Sequence, residues 1–364
     1  MNKAYLLLEN GMLFEGKHRG ASGCSVGEAV FNTSAAGYQE ALTDPSYYGQ
    51  VICMTYPLIG NYGINDRNCE TLKSWINGFV VRKLCDTPSN WKSFETVDEY
   101  LKKNGVVALE GIDTRQLARV IRDNGTMNCA IWSDDQKVSK DELMEKIKNF
   151  SVVNAIKTVT SDAGEEYDVK EGDVSVALLD FGVKRGAINS LKSRGCAVKV
   201  FSAFASADEI LNGGFDGVML ADGPGDPAEN KEIIENIKKF IDAKIPMFGY
   251  GLGHQMLALA VGAKTERMKF GHHGANYPVR DEESGRTYIT CQNHGYAVDA
   301  ASVDTKKVRI SHVNINDGTV EGIELVNAPA FSVQFTAEGD PGPKDTKYLF
   351  DKFVDAMKAA KEGK

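Results

Sequence analysis

The sequence predicts an α/β protein in two parts, an N-terminal α+β domain followed by a doubly wound, mostly parallel sheet. Three observations predict it. Residues 1 to about 150 mix short β-rich runs with turn clusters and show helical periodicity only later. From about residue 174 onward, apolar strand-like runs alternate with amphipathic helical runs, the pattern of a parallel sheet covered on both faces. Between them the stretch "SVVNAIKTVTSDAGEEYDVKEGD" loses periodicity and turns polar, as linkers do. The chain therefore divides into a domain over 1–150, a linker over 151–173 and a second domain over 174–364.

In the first part "AYLLLENGMLFEG", "GQVICMTYP" and "NGFVVRKL" read as strands. "VDEYLKKNG" and "DTRQLARVIRDNG" read as helices, each ending on a glycine that can take up the left-handed cap. In the second part "VSVALLDFG" is a buried strand, "KRGAINSLKSRG" an amphipathic helix with a Gly stop, and "CAVKVFSA" another strand. "FDGVMLADGPGDP" is a strand running into a Gly-Pro turn, and "NKEIIENIKKFIDAK" is a helix. Ligands of such sheets sit beyond the carboxyl ends of the strands.

Two of these strand ends are rich in glycine. After "KIPMFGY" the chain turns through Gly-Tyr-Gly-Leu-Gly into the helix "GHQMLALAVG", closed by Gly262. Enzymes that hold a Ser or Cys nucleophile on a tight strand-to-helix turn place it between two such glycines. Here the middle position is Gly251, so the turn has no atom that can attack. Glycine reaches positive φ without strain. Gly251 is thus expected to relax the backbone and leave a gap the size of a side chain. In "ADGPGDP", Gly223 and Gly225 let backbone N–H groups approach an anion or oxyanion closely.

Composition narrows the function classes. The 364 residues are 25% charged and 42% apolar, ordinary for a globular protein with two cores. The net charge of −8 and the lack of a dense Lys/Arg block argue against a nucleic-acid partner. No run approaches the roughly 18 apolar residues of a membrane span, and "MNKAYLLLENG" is too short in apolar residues for a signal-peptide core, which points to the cytoplasm. The seven cysteines are scattered without metal-ligand spacing and read as reduced thiols.

Together "GPGDP", "GLGHQ", "KFGHHGAN", "QNHGYAVD" and "AFSVQF", with the N-terminal "VFNTSAAGYQEALTDPSYYGQ", "TYPLIGNYGIN" and "LEGIDTRQLAR", carry a resemblance. Their order and spacing are similar to those of the small, glutaminase subunit of carbamoyl phosphate synthetase, whose C-terminal half is a class I (triad) glutamine amidotransferase. The resemblance spans nearly the whole chain. It places the family's nucleophilic Cys on Gly251, and the His of its His-Pro-Glu run on Thr336 of Thr336-Ala337-Glu338. Glu338 alone remains of the triad. The family's glutamine-binding positions fall on Ser34, Gly223, Gly225, Leu252, Gln255, Asn293, Gly295 and, as an aromatic equivalent, Tyr296.

Glutamine hydrolysis needs a thiolate, a His to move the proton and backbone donors for the oxyanion. Losing one member of such a unit costs on the order of 10⁶ in rate, and losing a second costs little more. Candidate replacements are His294, the pair His272 and His273, and Cys291. The histidines read as loop and interface hydrogen-bonders, and Cys291 should point from a strand. The resemblance implies a large-subunit partner that carries ATP and Mg, no cofactor or metal in this chain, and glutamine as a candidate ligand. It leaves three functions open: a non-hydrolysing scaffold for an ammonia-using large subunit in pyrimidine or arginine precursor synthesis, a glutamine-binding regulatory module, or a glutaminase acting through other residues.

Overall fold

Two units make up the chain in the computed structural model, which describes residues 2–161, 166–167, 174–339 and 341–363. The first comprises Met1–Val152 with Lys269–Gly274, and the second Val153–Met268 with Ala275–Lys364.

In the first unit, strands β1 (Lys3–Leu8), β2 (Leu13–Gly20), β3 (Cys24–Asn32), β4 (Gln50–Met54), β5 (Gly78–Val81), β6 (Val107–Glu110) and β7 (Met127–Ser133) close a barrel. Their order is β1-β2-β6-β5-β4-β3-β7, and β7 returns to β1. Alternation along the strands builds two apolar clusters. Phe31, Val51, Cys53, Val80 and Leu109 fall in one, while Val30, Ile52, Met54, Phe79 and Ala108 pack in the other with the helices Tyr38–Thr43 and Val97–Lys103. Thr96 starts the second of these helices with a capping box to Glu99. The helix Thr114–Asn124 ends at Gly125, φ 94°. The sequence pattern placed β1, β2, β4, β5 and the helices Val97–Lys103 and Thr114–Asn124, and did not single out β3, β6, β7 or the helix Tyr38–Thr43. Barrel closure, which depends on pairing between distant segments, left no local mark.

The second unit has one ten-stranded sheet: β8 (Glu166–Tyr167), β9 (Val174–Asp180), β10 (Cys196–Ser202), β11 (Gly217–Leu220), β12 (Met247–Tyr250), β13 (Thr265–Asp281), β14 (Thr287–Val298), β15 (Val308–Asn314), β16 (Val320–Leu325) and β17 (Ala330–Val333). The strand order is β14-β13-β15-β16-β17-β12-β11-β9-β10-β8. The five strands β10, β9, β11, β12 and β17 run parallel, and from β17 the sheet continues antiparallel through β16 and β15 to β13. Helices cover both faces of the parallel part, as the alternating pattern predicts. On one face Ala177, Leu179, Val218, Leu220 and Met247 pack with residues of the helices Lys231–Asp242 and Leu252–Ala260. On the other, Val176, Leu178, Met219, Phe248 and Val333 pack with residues of the helices Arg185–Lys192 and Tyr348–Glu362.

Of the stretch 151–173 read as a linker, 162–165 and 168–173 lie outside the described residues. The helix Ala155–Val159 forms within it, and Ile156 is buried in the first of the second unit's two clusters.

Candidate functional site

Four of the parallel strands bring their carboxyl ends to one rim of the sheet, where doubly wound folds bind ligands. β9 leads to Lys184, β11 to Asp222 and Gly223, β12 to Gly251, and β17 to Thr336 and Glu338. Each turn is fixed locally. Asp180 accepts hydrogen bonds from the backbone N–H groups of Gly182 (3.0 Å), Val183 (2.8 Å) and Ser161 (2.8 Å), which sets the loop that delivers Lys184.

After β12 the chain bends at Gly251 with φ 55° and ψ −119°, a combination that strains any residue with a Cβ. Gly251 N donates to Val333 O at 3.0 Å and Gly253 N to Ala221 O at 3.0 Å, tying the bend to both neighbouring strands. A Cβ on Gly253 would overlap the Leu220 carbonyl and lie 2.7 Å from Leu220 Cβ, and one on Gly249 would lie 3.0 Å from Gly253 O. Glycine at these positions is what lets the helix Leu252–Ala260 start against β11 and β12.

The gap expected beside Gly251 is not there. A Cβ at this position would overlap Asp222 Oδ1 and Cγ, because the Asp222 carboxylate occupies that volume. The bend itself keeps a positive φ, which glycine adopts without strain. The physical reason for the filled gap is on the neighbouring turn. Asp222 Oδ1 accepts from Gly223 N at 2.8 Å and from Leu252 N at 3.1 Å, so the carboxylate is drawn against the bend by two amides.

Behind it stands Lys184, 1% exposed. Its Nζ lies 2.9 Å from Glu338 Oε1 and 3.7 Å from Asp222 Oδ2, donates to Thr336 Oγ1 at 3.3 Å, and sits 5.6 Å from the centre of the Tyr250 ring. Both carboxylates are buried. Burial, with Glu338 close by, holds the Tyr250 hydroxyl well above its usual pKa, so it stays neutral. The arrangement is a buried cation between two carboxylates. It contains neither a thiol nor an imidazole.

Of the positions taken to bind glutamine, Gly223 and Leu252 converge through their backbone amides. Gly225 has φ 94°, and a Cβ there would press on Ala155 Cβ at 2.9 Å. Gln255 is buried, its Nε2 donating to Tyr296 O (2.8 Å) and Gln334 Oε1 (2.9 Å). Asn293, Gly295 and Tyr296 lie partly exposed on β14, and the space beside Gly295 is open. Ser34 belongs to the first unit, where it is buried and its N–H donates to Asn32 Oδ1 at 2.8 Å.

The candidate substitutes are placed as follows. Both ring nitrogens of His294 are engaged, Nδ1 with Tyr296 O at 2.7 Å and Nε2 with Gln292 Oε1 at 2.9 Å. His272 and His273 lie in the first unit's segment Lys269–Gly274, where Thr33 N donates to His273 O. Cys291 accepts the Thr336 N–H at its carbonyl, 2.9 Å, in an isolated antiparallel bridge. The volume beside Gly251 is filled by Asp222 and by none of these.

Family comparisons agree with this architecture. The family described as "Carbamoyl-phosphate synthase small chain, CPSase domain" matches residues 6–131, and "Glutamine amidotransferase class-I" matches residues 177–356. The carbamoyl phosphate synthase small chain of Syntrophotalea carbinolica is 46% identical over 98% of this chain and 98% of its own length. That of Clostridium perfringens is 46% identical over 97% and 99%. The chain belongs to the carbamoyl phosphate synthase small-chain family. Another member, the pyrimidine-specific small chain of Bacillus subtilis, is 43% identical over 99% of this chain and 98% of its own.

Within this small chain, Asp222 and Lys184 are the two site residues that the sequence did not single out. Asp222 stood in view inside "ADGPGDP". Lys184 follows a strand end in "LLDFGVKRG", where nothing in the local pattern separates a buried cation from a solvated one. Among the described residues, no helix is long and apolar enough to cross a membrane.

Proposed function

We propose that this small chain does not hydrolyse glutamine and acts as a scaffold for a large subunit that makes carbamoyl phosphate from free ammonia. One observation carries the reading: the position between the elbow glycines has no side chain, and the carboxylate of Asp222 fills its place. A thiolate cannot form at Gly251, and the Thr336 hydroxyl takes up no proton near neutral pH. Glu338, which would orient a catalytic His, instead pairs with Lys184. The N-terminal unit matches the small-chain family over residues 6–131, which supports pairing with a large subunit. Carbamoyl phosphate would then enter pyrimidine or arginine precursor synthesis, in the cytoplasm.

The test is glutamate release under saturating glutamine, by the chain alone and with its large subunit. The expected result is no release above background, with carbamoyl phosphate formed from ammonium salts and not from glutamine. Turnover within about tenfold of a family member with an intact triad would overturn the reading.

A further inference from the structure

We propose that Asp222 is a built-in occupant of the oxyanion hole and closes this site to the side-chain carboxamide of glutamine. The proposal rests on the non-hydrolysing reading and goes further, since a site that merely lacks its nucleophile still admits the substrate.

An oxyanion hole consists of N–H groups aimed at one point, where the carbonyl oxygen of the substrate sits and gathers charge. In this chain the N–H groups of Gly223 and Leu252 share one point, and Asp222 Oδ1 is on it, at 2.8 and 3.1 Å. A glutamine carbonyl would have to displace that atom. The exchange is unfavourable on three counts. The N–H groups would trade a carboxylate for a neutral amide oxygen, and charge-assisted hydrogen bonds are the stronger. The occupant is tethered one residue from Gly223, so it competes at the high effective concentration of an intramolecular group. The displaced carboxylate would remain buried with two hydrogen bonds fewer, and a buried charge without its partners is costly.

Gly251 is the condition for this occupancy. Any side chain at 251 overlaps the Asp222 carboxylate, so the two positions form a unit: the loss of the nucleophile's Cβ opens the volume that Asp222 takes. Lys184, 3.7 Å from Oδ2, supplies the countercharge that makes a buried carboxylate tolerable here.

The experiment measures L-glutamine binding by calorimetry to the purified full chain, for wild type, Asp222→Asn and Asp222→Ala. Wild type should give no heat at millimolar glutamine. Asp222→Asn, which keeps an acceptor oxygen in place, should stay closed. Asp222→Ala should bind about tenfold tighter than wild type or better. Equal binding by wild type and Asp222→Ala overturns the proposal. Thermal unfolding decides independently of binding. Gly251→Ala should lower the melting temperature strongly in wild type, and by less than half as much in the Asp222→Ala background, because the carboxylate it collides with is gone. Additive shifts overturn the proposal even if neither protein binds glutamine. Should Asp222→Ala fail to fold, Asp222→Gly, which removes Oδ1, Cγ and Cβ, the three atoms nearest a Cβ at 251, replaces it in both arms. Glutamate release by wild type would instead overturn the scaffold reading, a separate outcome.

Discussion

After β12 the backbone bends through Gly251 at positive φ, whereas after β17 it bends at Gln334 and Phe335 and then pairs Thr336 with Cys291 in an isolated bridge. Both turns reach the same rim. At the first, the backbone shape associated with catalysis persists although no side chain uses it, because Gly249 and Gly253 are fixed by the close contact of the helix Leu252–Ala260 with β11 and β12. At the second, the buried Glu338 carboxylate pairs with Lys184 Nζ at 2.9 Å. Packing preserves a backbone whether or not chemistry happens there. A buried charge needs hydrogen bonds or a countercharge, and in this site Lys184 faces both Glu338 and Asp222.

If Lys184 is the residue that holds the rim together, removing it should have the largest effect of any substitution discussed here. Lys184→Met keeps most of the buried volume and leaves the Asp222 and Glu338 carboxylates without their shared cation. Breaking a buried ion pair from one side costs about 3–5 kcal/mol. Chemical denaturation should show a loss of this order, and Lys184→Met combined with Glu338→Gln should recover part of it. A loss under about 1 kcal/mol, the value of an exposed pair, would mean that the two turns are held by their backbones alone.

The parts of this molecule that were legible in the sequence are those with a local cause. The strands from Val174 to Tyr250 and all but one of the α-helices between Arg185 and Ala260 follow from alternation of apolar runs with 3.6-residue periodicity; Gly251 stands out between two glycines, and Thr336 only through the family resemblance. The antiparallel continuation through β15 and β16 and the barrel closure of β7 onto β1 depend on partners far away in the chain. The site divides in the same way. Asp222 reaches Leu252 across 30 positions, and Lys184 reaches Glu338 from β9 to the turn after β17. The expectation of a gap beside Gly251 came from reasoning about one turn. Its filling comes from another.

The elbow helix carries a second test, of intermediate size and dependent on pH. His254 follows Gly253, is fully buried, and shares Nδ1 with Ser332 Oγ at 2.9 Å. Burial, with a smaller contribution from His312, lowers its pKa from 6.5 to about 3. The folded state therefore refuses a proton that the unfolded chain accepts. Above pH 6.5 both states are neutral and the group has no effect. Between about 6.5 and 3, stability falls as pH falls, with a limiting slope of about 1.4 kcal/mol per pH unit. His312, lowered to about 4 chiefly by burial, acts in the same direction over most of that window. Replacing His254 by Gln should flatten the profile between pH 6.5 and 5, by about 2 kcal/mol at the lower end. An unchanged slope would mean that the helix start opens to solvent before the ring titrates.

The smallest effects separate the two reasons for glycine at a turn. Gly253 has no room for a Cβ, which would lie 2.7 Å from Leu220 Cβ and overlap the Leu220 carbonyl, but its helical backbone suits alanine. Gly262 is the reverse, with φ 92° and nothing within reach of a Cβ. Gly253→Ala pushes the helix away from β11 and should cost about 1–3 kcal/mol, the usual penalty of overpacking. Gly262→Ala imposes only left-handed strain and should cost about 1 kcal/mol. Comparing the two by denaturation, with m unchanged, measures crowding against strain in one helix. A loss at Gly253 smaller than that at Gly262 would show that the contact of the helix with β11 is not tight enough to fix the elbow, and would overturn the packing account of this turn.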